Sequence, residues 1–94
     1  MVLDSKSHSQ FIVHADNSPN ALPRVLELFS IRDLTCQSVS ARNNQDGTQR
    51  IELIYNDLAL AHGDVLLRKI RSIFCVRSAR LEVTLLNTKK LKAA

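Results

Sequence analysis

Glycine and proline are scarce in this chain of 94 residues, with two of each; tryptophan is absent, and there are one tyrosine and two cysteines. Gly47 and Gly63 stand too far apart for a glycine-rich loop that cradles phosphates. Cys36 and Cys75 are too few for a disulfide framework and form no CxxC pair, so they read as free thiols packed as small hydrophobes. His8, His14 and His62 have no ligand-like spacing with each other or with the cysteines. No metal site and no catalytic residue is read from these types. Long apolar runs are missing as well. None approaches the roughly 18–20 residues needed to span a bilayer, and the polar stretch from Met1 to Gln10 lacks the apolar core of a signal peptide. The expected setting is the cytoplasm, without membrane contact.

What is present fits one small globular domain. Hydrophobic residues make up 45% of the chain, enough to argue against disorder. A domain of this size buries only about 60–65% of the surface its unfolded chain exposes, so pairing with a second copy is an economical way to cover the rest. Thirteen Lys and Arg against nine Asp and Glu give a net charge of +4. Part of that excess sits at Lys89, Lys90 and Lys92. The reading divides the chain into a flexible lead at 1–8, a folded domain at 9–86, and a flexible basic tail at 87–94.

Phe11-Ile12-Val13-His14-Ala15 has the β-branched and aromatic content of a strand. It stops at Asp16-Asn17-Ser18-Pro19, a cluster of turn formers. Leu22, Val25, Leu26 and Phe29 then recur at i, i+3, i+4 and i+7, the stripe of an amphipathic helix. With Asn20 as N-cap, Pro23 falls at the third helical position, where no intrahelical N–H is missed. Capping at Ser18 would place Pro19 at the first helical position but move Pro23 into the second turn; the reading favours Asn20. Thr35 to Arg42 and Arg50 to Asn56 flank the Asp46-Gly47 turn signal as an antiparallel hairpin. Leu66, Ile70, Ile73 and Phe74 mark a second helix, from Ala61 or Asp64 to Ile73. Ala79, Leu81, Val83 and Leu85 alternate with polar residues as a fourth strand.

The order β-α-β-β-α-β is the split βαβ arrangement. The expected fold is α+β and ferredoxin-like, a four-stranded antiparallel sheet with two helices on one face. Phe11, Val13, Val39, Ala41, Ile51, Leu53, Leu81 and Val83 are the expected helix-facing set. The other face and the outer strand edges need a partner, a ligand or water.

Catalysis is set aside for want of a base, a nucleophile or a phosphate cradle. RNA-binding modules of this topology stack bases on aromatics of the open sheet face. Here that face carries Ile12, His14, Glu52 and Ile54, while the three phenylalanines and Tyr55 fall on the core pattern or a helix stripe. Arg68, Lys69, Arg71, Arg77 and Arg80 read as the solvated side of a helix and strand. No nucleic-acid partner is expected.

The stretch from Phe11 to Val83 resembles an ACT domain, and within that group most resembles the small regulatory subunit of acetolactate synthase, in its short single-domain form. The resemblance is carried by Asp16-Asn17-Ser18-Pro19-Asn20-Ala21-Leu22-Pro23-Arg24-Val25, followed by Leu28-Phe29-Ser30-Ile31-Arg32. Ser38-Val39, Arg50-Ile51-Glu52-Leu53, and Leu67-Arg68-Lys69-Ile70 with Cys75-Val76 extend it. Asn20, Asp33 and Thr35 stand where the family has Gly, Gly and Asn.

The resemblance implies a non-catalytic chain that activates or stabilises a catalytic large subunit, in branched-chain amino-acid synthesis. Thiamine diphosphate, Mg²⁺ and FAD would belong to that subunit, with no cofactor in this chain. It implies a homodimer that merges two sheets into one, with an amino-acid effector such as valine, leucine or isoleucine near Asn17, Asn20, Ala21, Leu22 and Thr35. Free N–H groups at the helix start would receive the effector carboxylate. The alternative is a free-standing homodimeric amino-acid sensor that acts on another partner.

Overall fold

A computed structural model describes residues 5–87. The chain runs β1 (Ser5–Asp16), α1 (Ala21–Ser30), β2 (Ser38–Asn43), β3 (Thr48–Asn56), α2 (Leu60–Arg71) and β4 (Val76–Asn87). The expected order is present. The four strands form one antiparallel sheet in the order β2-β3-β1-β4.

Period-two alternation sets the two faces of the central strands. Phe11, Val13 and Ala15 of β1 and Ile51, Leu53 and Tyr55 of β3 are buried on the helix side. The register places Phe11 between Leu53 and Leu81, and Val13 between Ile51 and Ala79. From above, α1 contributes Ala21, Val25 and Phe29, and α2 contributes Gly63, Leu66 and Ile70. Three rings join the layers. Phe29 stacks on Tyr55 at a centroid distance of 4.3 Å, and Phe11 meets Phe29 edge-on at 5.1 Å. Such pairs add roughly 0.5–1.5 kcal/mol beyond their burial.

Gly63 permits the close approach of α2 to β4, since a Cβ there would lie 2.9 Å from Leu81 Cδ2. Gly47 supplies the hairpin turn with φ of 84°. The Asp46 carboxylate braces that turn by accepting from the Thr48 N–H and hydroxyl, which hold its pKa below the usual carboxylate value.

Several sequence expectations are corrected. β1 begins at Ser5, inside the stretch read as a flexible lead, because Ser5–His8 pair with β4. Residues 1–4 and the tail from 88, with Lys89, Lys90 and Lys92, lie outside the described residues. Val39 and Ala41 have the right parity for the core, yet all of β2 is exposed. β2 is an edge strand, and the helix layer stops short of it. Val83 is 36% exposed because β1 and β4 run on past the part of β4 that α2 covers near Gly63. α2 begins at Leu60 and ends at Arg71, so Phe74 falls past its C-terminus and is 97% exposed.

Candidate functional site

The junction between β1 and α1 is built from backbone hydrogen bonds first. Asp16 N–H donates to the Cys75 carbonyl at 2.8 Å, tying the junction to the turn before β4. Asn17 N–H donates to the Gly47 carbonyl at 3.0 Å, tying it to the β2–β3 hairpin. The buried side chain of Gln49 then clamps it from β3: its Nε2 donates to the carbonyls of Asp16 at 3.0 Å and Ser18 at 2.9 Å. Outside, Arg77 Nε donates to Asp16 Oδ1 at 2.5 Å. Both partners of this ion pair are exposed, so it adds at most about 1 kcal/mol.

Helix α1 starts in a compromise between the two capping schemes. It is helical from Ala21, with Asn20 in the N-cap position and Pro23 in the first turn. The Asn20 side chain makes no capping bond. Instead Ser18 Oγ accepts from the Asn20 N–H at 3.3 Å, and the Ser18 carbonyl accepts from the Ala21 N–H at 3.1 Å. Asn20 sits at φ −88°, so nothing in the backbone requires glycine there.

The far end of α1 tells a complementary story. Leu34 N–H donates to the Phe29 carbonyl and Asp33 N–H to the Ser30 carbonyl, the pair of bonds of a Schellman motif. Asp33 is the residue that takes the left-handed conformation, with φ of 58°. That is the position where glycine fits best. The motif turns the chain so that Leu34, Thr35 and Cys36 return toward β3, with Cys36 Sγ donating to the Ser38 carbonyl at 2.9 Å.

Two cavities flank α1. The first, of about 140 Å³, lies at its N-terminus between Ser18, Asn20 and Arg24 on one side and Ile73, Phe74 and Cys75 on the other. The Arg24 guanidinium makes it a place that favours a small anion. The second, of about 350 Å³, runs along α1 from Pro23 to Ser30 and is bounded by Leu34, Cys36 and Tyr55. Of the five predicted effector residues, Asn20 lines the first cavity, and Thr35 lies between two residues of the second. Asn17 is exposed on the loop, Ala21 is buried on the inner face of α1, and Leu22 is half-buried. Asn17 and Thr35 stand at opposite ends of a ten-residue helix, roughly 15 Å long, so one protomer does not bring them together.

The open sheet face closes on itself. Arg50 Nε donates to Glu52 Oε2 at 2.6 Å and Gln10 Nε2 to Glu52 Oε1 at 3.0 Å, with Arg80 and Glu82 paired at 3.1 Å further along. Beneath them Ile12 is only 3% exposed. Phe11, Phe29 and Tyr55 are in the core, and the face offers no phenylalanine or tyrosine for base stacking among the described residues. No group of His, Cys, Asp and Glu is placed to hold a metal ion among them, and no helix is long and apolar enough to cross a membrane.

Residues 2–88 match the ACT-like domain family. The chain belongs to that family. No curated protein matches the chain by sequence. Among solved structures, the ACT domain from GTP pyrophosphokinase of Chlorobium tepidum is similar, with a TM-score of 0.67 at 13% identity, over 80% of this chain and 96% of that one. The C-terminal domain of the MgtC protein from Mycobacterium tuberculosis gives 0.69 at 13% identity, over 89% and 94%. The ligand-free regulatory subunit of aspartate kinase from Thermus thermophilus gives 0.66 at 10% identity, over 93% and 64%. At these identities the likeness is one of fold.

For this ACT-like chain, sequence reasoning missed Gln49 as the anchor of the junction. A signal existed: Gln49 shares the inward parity of Ile51, Leu53 and Tyr55. A polar residue at such a position must find partners, and here it finds backbone carbonyls.

Proposed function

We propose that this ACT-like chain is a non-catalytic regulatory subunit acting in the cytoplasm, and that its partner is the catalytic subunit of acetolactate synthase. The observation that carries this reading is the family match over residues 2–88, joined to the resemblance of the Asp16–Val25 and Leu28–Arg32 stretches to the small subunit of that enzyme. The chain contributes no cofactor to the reaction; thiamine diphosphate, Mg²⁺ and FAD reside in the partner.

Pairing occurs side by side through β2. That strand is exposed along its whole length, and its outer edge leaves a row of backbone groups unpaired. Joining two β2 edges continues the sheet and covers the apolar Val39 and Ile31, both exposed in the single chain. In such a pair the loop of one protomer, with Asn17, is offered the α1–β2 connection of the other, with Thr35. The effector, a branched-chain amino acid, lies between them, with its carboxylate near the start of α1. The Leu22 N–H, at the third position after the Pro19 turn, has no acceptor among the described residues and serves that carboxylate.

The test of the partnership is size-exclusion chromatography of this chain mixed with the catalytic subunit of acetolactate synthase. Co-elution in one peak supports the reading; independent elution at micromolar concentrations contradicts it. A free-standing amino-acid sensor is the second reading, favoured by ACT-type folds in proteins as different as GTP pyrophosphokinase and aspartate kinase. It predicts a rise in melting temperature with one of the twenty amino acids in the absence of any partner.

A further inference from the structure

The alternation of hydrogen bonds along β1 decides which backbone groups each outer strand presents to solvent. Asp57 N–H donates to the Ser7 carbonyl at 2.9 Å, so odd-numbered residues of β1 bond toward β3 and even-numbered ones toward β4. Carried across the register, this turns the N–H and C=O groups of Ala79, Leu81 and Val83 outward from β4, and those of Val39 and Ala41 outward from β2. The two edges differ in one respect. The Ala79 carbonyl accepts from Arg71 Nε at 3.0 Å and from Arg71 Nη2 at 2.8 Å, so the fork of one guanidinium from the end of α2 fills it. Among the described residues, β2 has no such closure.

Without Arg71, β4 would suit a second copy of this chain. Pairing about a two-fold axis sets residue i opposite j and j opposite i. Centred on Leu81, an antiparallel β4–β4 pair sets Arg80 of each copy opposite Glu82 of the other, on the open face. Within one strand these two already pair at 3.1 Å. On the helix side Ala79 falls opposite Val83, which is exposed in the single chain. Centring on Arg80 or Glu82 instead would oppose like charges, which is unfavourable. The Leu81 register directs the Val83 N–H of each copy at the Ala79 carbonyl of the other, the group that Arg71 fills.

We propose that Arg71 closes the β4 edge to a second copy of this chain and so confines self-pairing to β2. A pair joined through β2 carries a β4 edge at both ends, and open edges there would extend the sheet past two copies. The use of β2 rests on the pairing proposed above, which Val39→Lys tests separately; the closure of β4 is read on its own.

The experiment is sedimentation velocity of the full chain and its variants over a range of micromolar concentrations. Arg71→Ala is expected to give species of at least twice the mass of the unaltered chain's, increasing with concentration. Arg71→Lys keeps the charge at the end of α2 and loses the fork. It should also give the larger species, and it serves if the alanine variant fails to fold. Adding Arg80→Glu sets carboxylates opposite each other across a β4–β4 pair and should return the distribution to that of the unaltered chain. Adding Glu82→Arg as well exchanges the charges and should bring the larger species back. An unchanged distribution in the Arg71 variants, or growth that Arg80→Glu does not reverse, would overturn the proposal.

Discussion

The side-chain amide of Gln49 donates to the carbonyl of Ser18 at 2.9 Å, so a residue of β3 fixes the loop that opens α1. The same nitrogen reaches Asp16 at 3.0 Å. Replacing it with an apolar residue of similar size removes both donors while keeping the bulk. Gln49→Leu is expected to cost about 1–2 kcal/mol, since each carbonyl keeps one other donor. Urea unfolding reads the cost, and faster amide exchange at Asn17 to Ala21 reads its location.

Asp33 bears the left-handed conformation that ends α1. A residue with a Cβ pays roughly 1 kcal/mol or more for that backbone, which glycine escapes. Asp33→Gly should therefore raise stability by about 0.5–1 kcal/mol in the same urea experiment. A loss of stability would mean that the Asp33 side chain supports the motif in some other way.

These two positions show what the sequence makes legible and what it does not. Phe11 with Val13, Val25 with Phe29, and Ile51 with Leu53 all carry the period of their element, so the βαββαβ order could be read directly. Val39 and Ala41 carry the same period and are nevertheless exposed. Alternation tells which face a residue is on, but whether a helix covers that face depends on where the strand falls in the sheet. Phe74 continues a helical spacing past the point where α2 has ended. Within the candidate site, the loop was legible from the turn formers Asp16 to Pro19 and the helix start from Asn20 and Pro23, although the Asn20 side chain makes no capping bond. The clamp from Gln49 was not, because it joins residues about thirty positions apart.

The proposed pairing through β2 makes a prediction about Val39, which is 47% exposed on the helix side of that edge. Val39→Lys should leave the fold intact, because the side chain has little burial to lose, and should shift a dimer toward monomer. A charged edge residue opposes strand-to-strand association. Sedimentation velocity at micromolar concentration distinguishes the two, and an unchanged dimer would move the interface elsewhere.

Glu52 links stability to pH. The Arg50 hydrogen bond is the largest cause that lowers its pKa from 4.5; burial works against it, and the Gln10 bond adds to the lowering. A carboxylate whose pKa is lower in the folded state stabilises that state fully above its unfolded pKa. The contribution fades as pH falls through the folded value. Stability should therefore decline as pH falls below about 4.5, and Glu52→Gln should flatten that part of the profile. An identical slope in the variant would assign the acid sensitivity to other groups.

Regulation of a catalytic partner is the core of the functional reading, and one titration addresses it directly. Acetolactate formation by the catalytic subunit is measured as this chain is added at increasing concentration. The account predicts a rise in activity that saturates at a fixed ratio of the two chains. A flat response across the titration would contradict it.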